Sequence, residues 1–255
     1  MATGQDPARI SIRPLDGIAE FREALQLQKE IWGFEDIELL PLRLFVVARK
    51  VGGQIIGAFD GARADSPMIG FLLAIPGLKK DCSYLHSHMM GVLPAYRNLG
   101  VGRRLKLAQR DEALQRGICL VEWTFDPLEL KNAYFNLERL GAIVRRYVLN
   151  QYGTTSSPLH AGLPTDRCVA EWHLDSSRVL AVLDGQPAPR GEILARVAVP
   201  ADIDAIRLSD PRRALAIQQS VSQGFLEHLG RGFAATGIDS TPETAVYQFS
   251  KWPSE

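Results

Sequence analysis

The stretch Val92-Leu-Pro-Ala-Tyr-Arg97-Asn-Leu-Gly100-Val-Gly102-Arg-Arg-Leu105 places two glycines and three arginines between an apolar run and a run of helical period. Glycine lets the backbone turn sharply and come close to a bound anion. A helix opening at Val101 aims unpaired N–H groups and the positive end of its dipole at the same point. Arg97 and Arg103 add formal charge, so the chemistry suits a pyrophosphate. Two common cradles fail on residues. A P-loop needs Gly-Lys-Ser/Thr, and Gly102 is followed by Arg-Arg; a dinucleotide fingerprint needs a third glycine where Leu105 stands, and a later acidic residue after a second strand. What remains is Arg/Gln-x-x-Gly-x-Gly/Ala, met by Arg97, Gly100 and Gly102, with Val92, Pro94 and Tyr96 extending the pattern upstream. The bland competitor is a simple loop-to-helix turn.

Other residues are of types that move protons or hold amides. His86 and His88 alternate on a predicted strand and so share one side. An imidazole with an ordinary pKa near ~6.5 suits a base at neutral pH; the competing role is a pair satisfied within the sheet. Cys82 beside them raises metal binding, but no further ligand follows at a zinc spacing, so no metal is expected. Glu122, in a strand, and Asp126, at its end, are the carboxylate candidates, because strand ends at an open crevice carry ligand contacts in α/β sheets. Asp126 precedes Pro127 and is equally a turn former. Asn132 and Asn136 lie four apart on one helical face, with Tyr134 between them.

These residues need positioning elements. Arg9–Pro14 reads as a strand, and Asp16 caps a helix with Ile18, Phe21, Leu25 and Trp32 on one face, closed by Gly33. Leu44–Ala48 and Gln54–Phe59 read as a β-hairpin around Gly52–Gly53. Met68–Ile75 and Tyr84–Val92 are further strands; Val101 opens a helix that Gly117 ends. Ile118–Thr124, Ala142–Leu149 and Cys168–Leu174 are strands, and Asn132–Leu140 is a short helix. Short early loops require antiparallel pairing, whereas a helix between Tyr84–Val92 and Ile118–Thr124 requires a parallel crossover. The expected class is therefore mixed α/β (α+β), mostly antiparallel with one parallel pair.

The organisation expected is a domain over 1–176, a linker over 177–191 around Asp184–Arg190, and a C-terminal α/β extension over 192–255. Ile193–Val199, Asp202–Arg207, Ala214–Leu229, Gly232–Ile238 and Ala245–Phe249 repeat much of the N-terminal order. The extension is then either a partial repeat of the first half-domain or an ordinary addition covering a sheet edge.

Composition narrows the class. With 255 residues, 46% of them hydrophobic, and zero formal net charge, the chain can bury a sizeable core and carries no nucleic-acid footprint. The opening MATGQDPARI lacks the basic start and apolar stretch of a signal peptide, so none is expected, and no apolar run approaches the roughly 20 residues of a membrane span. Three cysteines fit a reducing cytoplasm, so the expected localisation is cytoplasmic, as monomer or homodimer, with no membrane partner.

The segment around Arg97–Gly102 resembles motif A of the GNAT superfamily of N-acetyltransferases. The likeness covers roughly residues 9–175 by element order and is specific over residues 84–141. It implies a GNAT acyl-CoA N-acyltransferase fold in which the fourth and fifth strands splay around pantetheine. By resemblance, the backbone at Met90, Gly91, Val92 and Leu93 pairs with pantetheine, and the amides of Asn98, Leu99, Gly100, Val101, Gly102 and Arg103 hold the pyrophosphate, with Arg97 beside them. Asn132 and Asn136 would bond pantetheine amides or substrate. The co-substrate implied is acetyl-CoA or another acyl-CoA, and the acceptor a small-molecule amine, an amino acid by first choice. His86 or His88 would take the amine's proton, and a backbone N–H near Val92 would polarise the thioester carbonyl. Leu137 stands where the family commonly has the Tyr that protonates the thiolate; Tyr134 is the substitute, or a packing aromatic. Trp32, Phe34, Glu35, Asp36, Trp123 and Asp126, with the loop Gly153–Pro164, are the expected acceptor contacts. A non-catalytic acyl-CoA-binding module is the competing reading, favoured by Leu137.

Overall fold

A computed structural model describes residues 9–80, 82–153 and 162–252. The chain divides into two compact units, Met1–Val121 and Glu122–Glu255.

The first unit runs β1 (Ile10–Pro14), α1 (Gly17–Trp32), α2 (Leu42–Lys50), β2 (Gln54–Asp60), β3 (Met68–Lys79), β4 (Cys82–Val92) and α3 (Val101–Gln115). Its strands form an antiparallel meander in the order β1-β2-β3-β4. The runs Gln54–Phe59 and Met68–Ala74 are buried at every position, as expected of strands covered on both faces. Helices α1 and α2 cover one face and enclose Leu15, Phe21, Phe45, Phe59, Phe71 and Leu73. The start of α1 is held in an unexpected way: Asp16 caps nothing with its side chain, and Glu20 instead accepts from the Asp16 N–H at 2.6 Å while pairing with Arg13. Gly33, at φ +66°, ends the helix as expected.

The expected hairpin at Leu44–Ala48 is wrong. That segment is helix α2, and Gly52–Gly53 is the exit from it into β2, with the Gly53 N–H donating to Ala48 O at 2.7 Å. Val46 and Val47 suggested a strand, but burial decides the geometry. Phe45 and Ala48, three apart, are fully buried, while Val46 and Val47 are 39% and 51% exposed. Two adjacent exposed valines fit a helix and contradict strand alternation. Val46→Lys and Val47→Lys are each expected to change unfolding free energy in urea by less than about 0.5 kcal/mol; a large loss for one and not the other would restore the strand.

The second unit takes in most of β5 (Leu120–Phe125). It continues through α4 (Leu130–Tyr134), β6 (Ile143–Val148), β7 (Arg167–His173), α5 (Ser177–Leu183), β8 (Ala195–Pro200), α6 (Ile203–Ser209), α7 (Pro211–Gly230), β9 (Phe233–Ser240) and β10 (Thr244–Lys251). Strand order is β5-β7-β6-β9-β10-β8. Helix α7 packs over β6, β8 and β9, where Phe225 meets the rings of Tyr147, Tyr247 and Phe249 at 4.9–5.1 Å. Helix α5 lies inside the stretch read as a linker; Ser176 caps it by accepting from the Val179 N–H. The order strand, helix, helix, strand, strand occurs in both units, but β1 pairs with β2 whereas β8 pairs with β10. The class is mixed α/β with mostly antiparallel strands. Among the described residues no helix is long and apolar enough to cross a membrane.

Candidate active site

The glycine turn of the first unit is built from three anchors. The Leu93 N–H donates to Ile69 O at 2.9 Å, starting a 3-10 turn at Pro94–Tyr96. The Tyr96 hydroxyl donates to Asp60 at 2.8 Å, which raises the phenol's pKa. Arg104 donates to Ile10 O at 2.6 Å. Between these anchors the backbone enters the left-handed region at Asn98 (φ +65°) and Gly100 (φ +77°). Gly100 caps the 15-residue α3; among the described residues no side chain bonds the opening amides, and no acidic residue stands in the first turn. A Cβ at Gly100 would meet nothing within 4 Å, and one at Gly102 only Met90 Cε at 3.7 Å. The helix therefore opens onto clear space with its dipole and amides uncapped, an arrangement that suits a diphosphate. Arg97 is exposed and donates to Val92 O; Arg103 is half-buried.

Strand β4 carries a bulge that the sequence did not announce. Ser87 opposes Ala74 and Met89 opposes Leu73, so His88 is the extra residue. The strict alternation assumed for His86 and His88 breaks there, yet their rings lie with centroids 6.0 Å apart. His88 has an exposed edge, while desolvation by the protein packed around it lowers its imidazole pKa. Further along, Trp32 lies against the β4 backbone: a Cβ at Gly91 would sit 2.6 Å from its ring. Phe34 stacks on Trp32 at 5.7 Å and 12°. Met90 opposes Leu72 and Val92 opposes Gly70. Glu35 and Asp36 are exposed beyond the aromatic pair, Asp36 bonding Lys29 at 2.6 Å. The first unit thus brings together the glycine turn, the bulged histidines and two of the expected acceptor aromatics along one strand and its continuation.

Sequence reasoning missed a polar cluster behind β4. Lys106 is fully buried in α3 and donates to Ser87 Oγ at 2.9 Å and Gln109 Oε1 at 3.0 Å; Gln54 donates to Gln109 O. Burial pushes the lysine's pKa well down. The signal was present, since Lys106, Gln109 and Ala113 are spaced three and four on the buried side of α3.

The second unit holds the remaining predicted residues. Glu122 is buried and paired with Arg146 at 2.7 Å. Asp126 accepts from the Leu128 N–H and pairs with Arg207 at 2.7 Å, a partner 81 residues downstream. Both carboxylates are thus neutralised by guanidinium groups. Trp123 donates to Asn136 Oδ1 at 3.2 Å, and Asn136 donates to Asn132. Tyr134 is exposed on α4, whereas Leu137 is fully buried. After Tyr134 the helix widens into a π turn over Phe135–Arg139, closed by the Leu140 N–H on Phe135 O; such turns recur at functional sites. Arg178 holds that turn through Leu137 O at 3.2 Å and Gly141 O at 3.0 Å. Of the loop Gly153–Pro164, residues 154–161 lie outside the described residues.

Residues 15–141 match the model of a family described as the acetyltransferase (GNAT) family. Arabidopsis thaliana NAA60 in complex with acetyl-CoA is similar in structure at TM-score 0.54 and 16% identity, over 66% of this chain and 99% of that one. The NatC complex bound to Gag peptide and CoA is similar at 0.52 and 14%, over 65% and 98%. A GNAT-family protein from Desulfovibrio desulfuricans is similar at 0.51 and 13%, over 65% and 99%. At these identities the likeness is one of fold. No curated protein sequence matches the chain.

Proposed function

Because residues 15–141 make this chain a member of the acetyltransferase (GNAT) family, we propose that it is a cytoplasmic N-acyltransferase acting on the amine of a small molecule, with an amino acid as the first acceptor to test. The donor is acetyl-CoA, or a succinyl or other acyl thioester. One observation carries the reading: α3 opens with uncapped amides at a left-handed glycine whose surroundings are clear. A diphosphate satisfies those amides and meets Arg97 and Arg103.

The reaction assigned to this site is direct attack. His86 or His88 takes a proton from the ammonium, leaving a nitrogen with a free lone pair. That nitrogen bonds the thioester carbonyl carbon, an amide of β4 near Val92 stabilises the oxyanion, and the C–S bond breaks to release CoA thiolate, which is protonated from solvent. The bulge at His88 supports this assignment, because bulges turn local backbone and side chains away from regular pairing. Trp32 and Phe34 supply an apolar surface beside the strand for the acceptor's body.

Incubation with acetyl-CoA and succinyl-CoA against a panel of amino acids and other amines is expected to release thiol for at least one pair. Tight acetyl-CoA binding with no thiol release for any pair would instead favour a binding module. Leu137, buried where the family's acid is expected, is the observation on that side.

A further inference from the structure

The second unit contains a cavity of about 770 Å³ between α7 and the two ends of the β6–β7 connection, entirely outside residues 15–141. We propose that it binds an organic ammonium, a primary amine on an apolar body. The polar part of the wall offers acceptors. Asp166 is 5% exposed, and its carboxylate accepts from the Asn150 N–H at 2.9 Å and the Ser222 hydroxyl at 2.6 Å, with Tyr147 OH at 3.4 Å. All three donors are neutral, and among the described residues no ion pair joins this carboxylate; Arg167, next in the chain, spends a guanidinium N–H on the Asp166 backbone O at 3.0 Å. Gln218, 2% exposed, spends its amide N–H on Pro164 O at 2.7 Å and leaves Oε1 without a donor. Glu227 lies on the exposed side, and the described lining includes no lysine, arginine or histidine. Leu149, Leu215 and Leu226 supply the apolar remainder.

Such a wall discriminates by charge. A buried carboxylate gains most from a partner that brings both positive charge and N–H donors, and an unmatched carbonyl oxygen gains from any further donor. An anion would meet the carboxylates of Asp166 and Glu227, with neutral hydroxyl and amide donors as its only favourable partners among the described lining. A neutral alcohol could donate once but would leave the charge of Asp166 uncompensated.

The test uses the full chain without acyl-CoA, so its result stands apart from the acyl-transfer reading. Calorimetry compares 2-phenylethylamine, tyramine and cadaverine with neutral 2-phenylethanol. At least one amine is expected to bind at least about tenfold more tightly than the alcohol, the size of one hydrogen bond to a charged group. Gln218→Leu is expected to weaken that amine by at least about fivefold, the scale of one net hydrogen bond. Leu226→Trp, at a position 43% exposed and tolerant of bulk, is expected to block the cavity and remove binding with an unchanged thermal melt. Amines binding no better than the alcohol, or full affinity in the folded Leu226→Trp protein, would overturn the proposal.

Discussion

Gly100→Glu is expected to yield a folded protein whose affinity for acetyl-CoA falls at least about a hundredfold, a loss of roughly 2.7 kcal/mol. The two halves of that outcome have separate causes. Gly100 sits at φ +77°, where an L-residue costs about 1–2 kcal/mol. No heavy atom lies within 4 Å of the added Cβ, so no clash adds to it. A carboxylate at a helix N-terminus returns about 0.3–1 kcal/mol through the dipole, which leaves the net stability change small. Binding is expected to suffer far more, because the new carboxylate would occupy the amides proposed to hold the diphosphate and would repel it. Gly100→Ala separates the terms: it carries the same backbone cost without the charge and retains most of the affinity. Calorimetry with acetyl-CoA beside a urea melt reads both. Unchanged affinity in the glutamate variant would remove the turn from cofactor binding.

His86→Ala is expected to lower kcat by about 10²–10⁴-fold, the usual contribution of a positioned general base, while KM for acetyl-CoA stays within about twofold. The split follows from geometry, since the glycine turn lies at the far end of the segment from His86, beyond Val92 and Pro94. Rates equal to the unsubstituted protein would exclude His86 from the mechanism. The companion His88 contributes one component of the pH dependence of stability. Desolvation holds its pKa below 6.5, so its ring is neutral at pH 7 and adds no charge beside an incoming amine. The sign follows from linkage. The unfolded chain protonates this ring at about 6.5, the folded chain only at lower pH, so its contribution to stability is present above about 6.5 and is lost as pH falls through the lowered value. His88→Ala should remove that component from the pH–stability curve measured by thermal melts between pH 5 and 8, whereas an unaltered curve would place the desolvation elsewhere.

The glycine turn was legible because it is local. Its two glycines, its arginine and the onset of helical period lie within a dozen residues, and the backbone they require is the backbone observed at Gly100 and α3. The same holds for the ends of α1 and α3 at Gly33 and Gly117, where glycine takes the left-handed φ without the Cβ penalty other residues meet. Leu44–Ala48 misled because β-branched valines weigh toward strand locally, while the burial of Phe45 and Ala48 against α1 and the sheet selected a helix. Partners distant in sequence were beyond reach. Asp126 finds Arg207, Lys106 finds Ser87, and Gln218 finds Pro164, each through packing that no spacing rule encodes. By itself, then, the sequence determined the glycine turn, the family resemblance and most of the elements, because backbone freedom and apolar period are properties of neighbouring residues. Only the tertiary structure decided which carboxylates are neutralised, where β4 bulges and that α7 walls a cavity, because burial and hydrogen-bond partners depend on which elements meet.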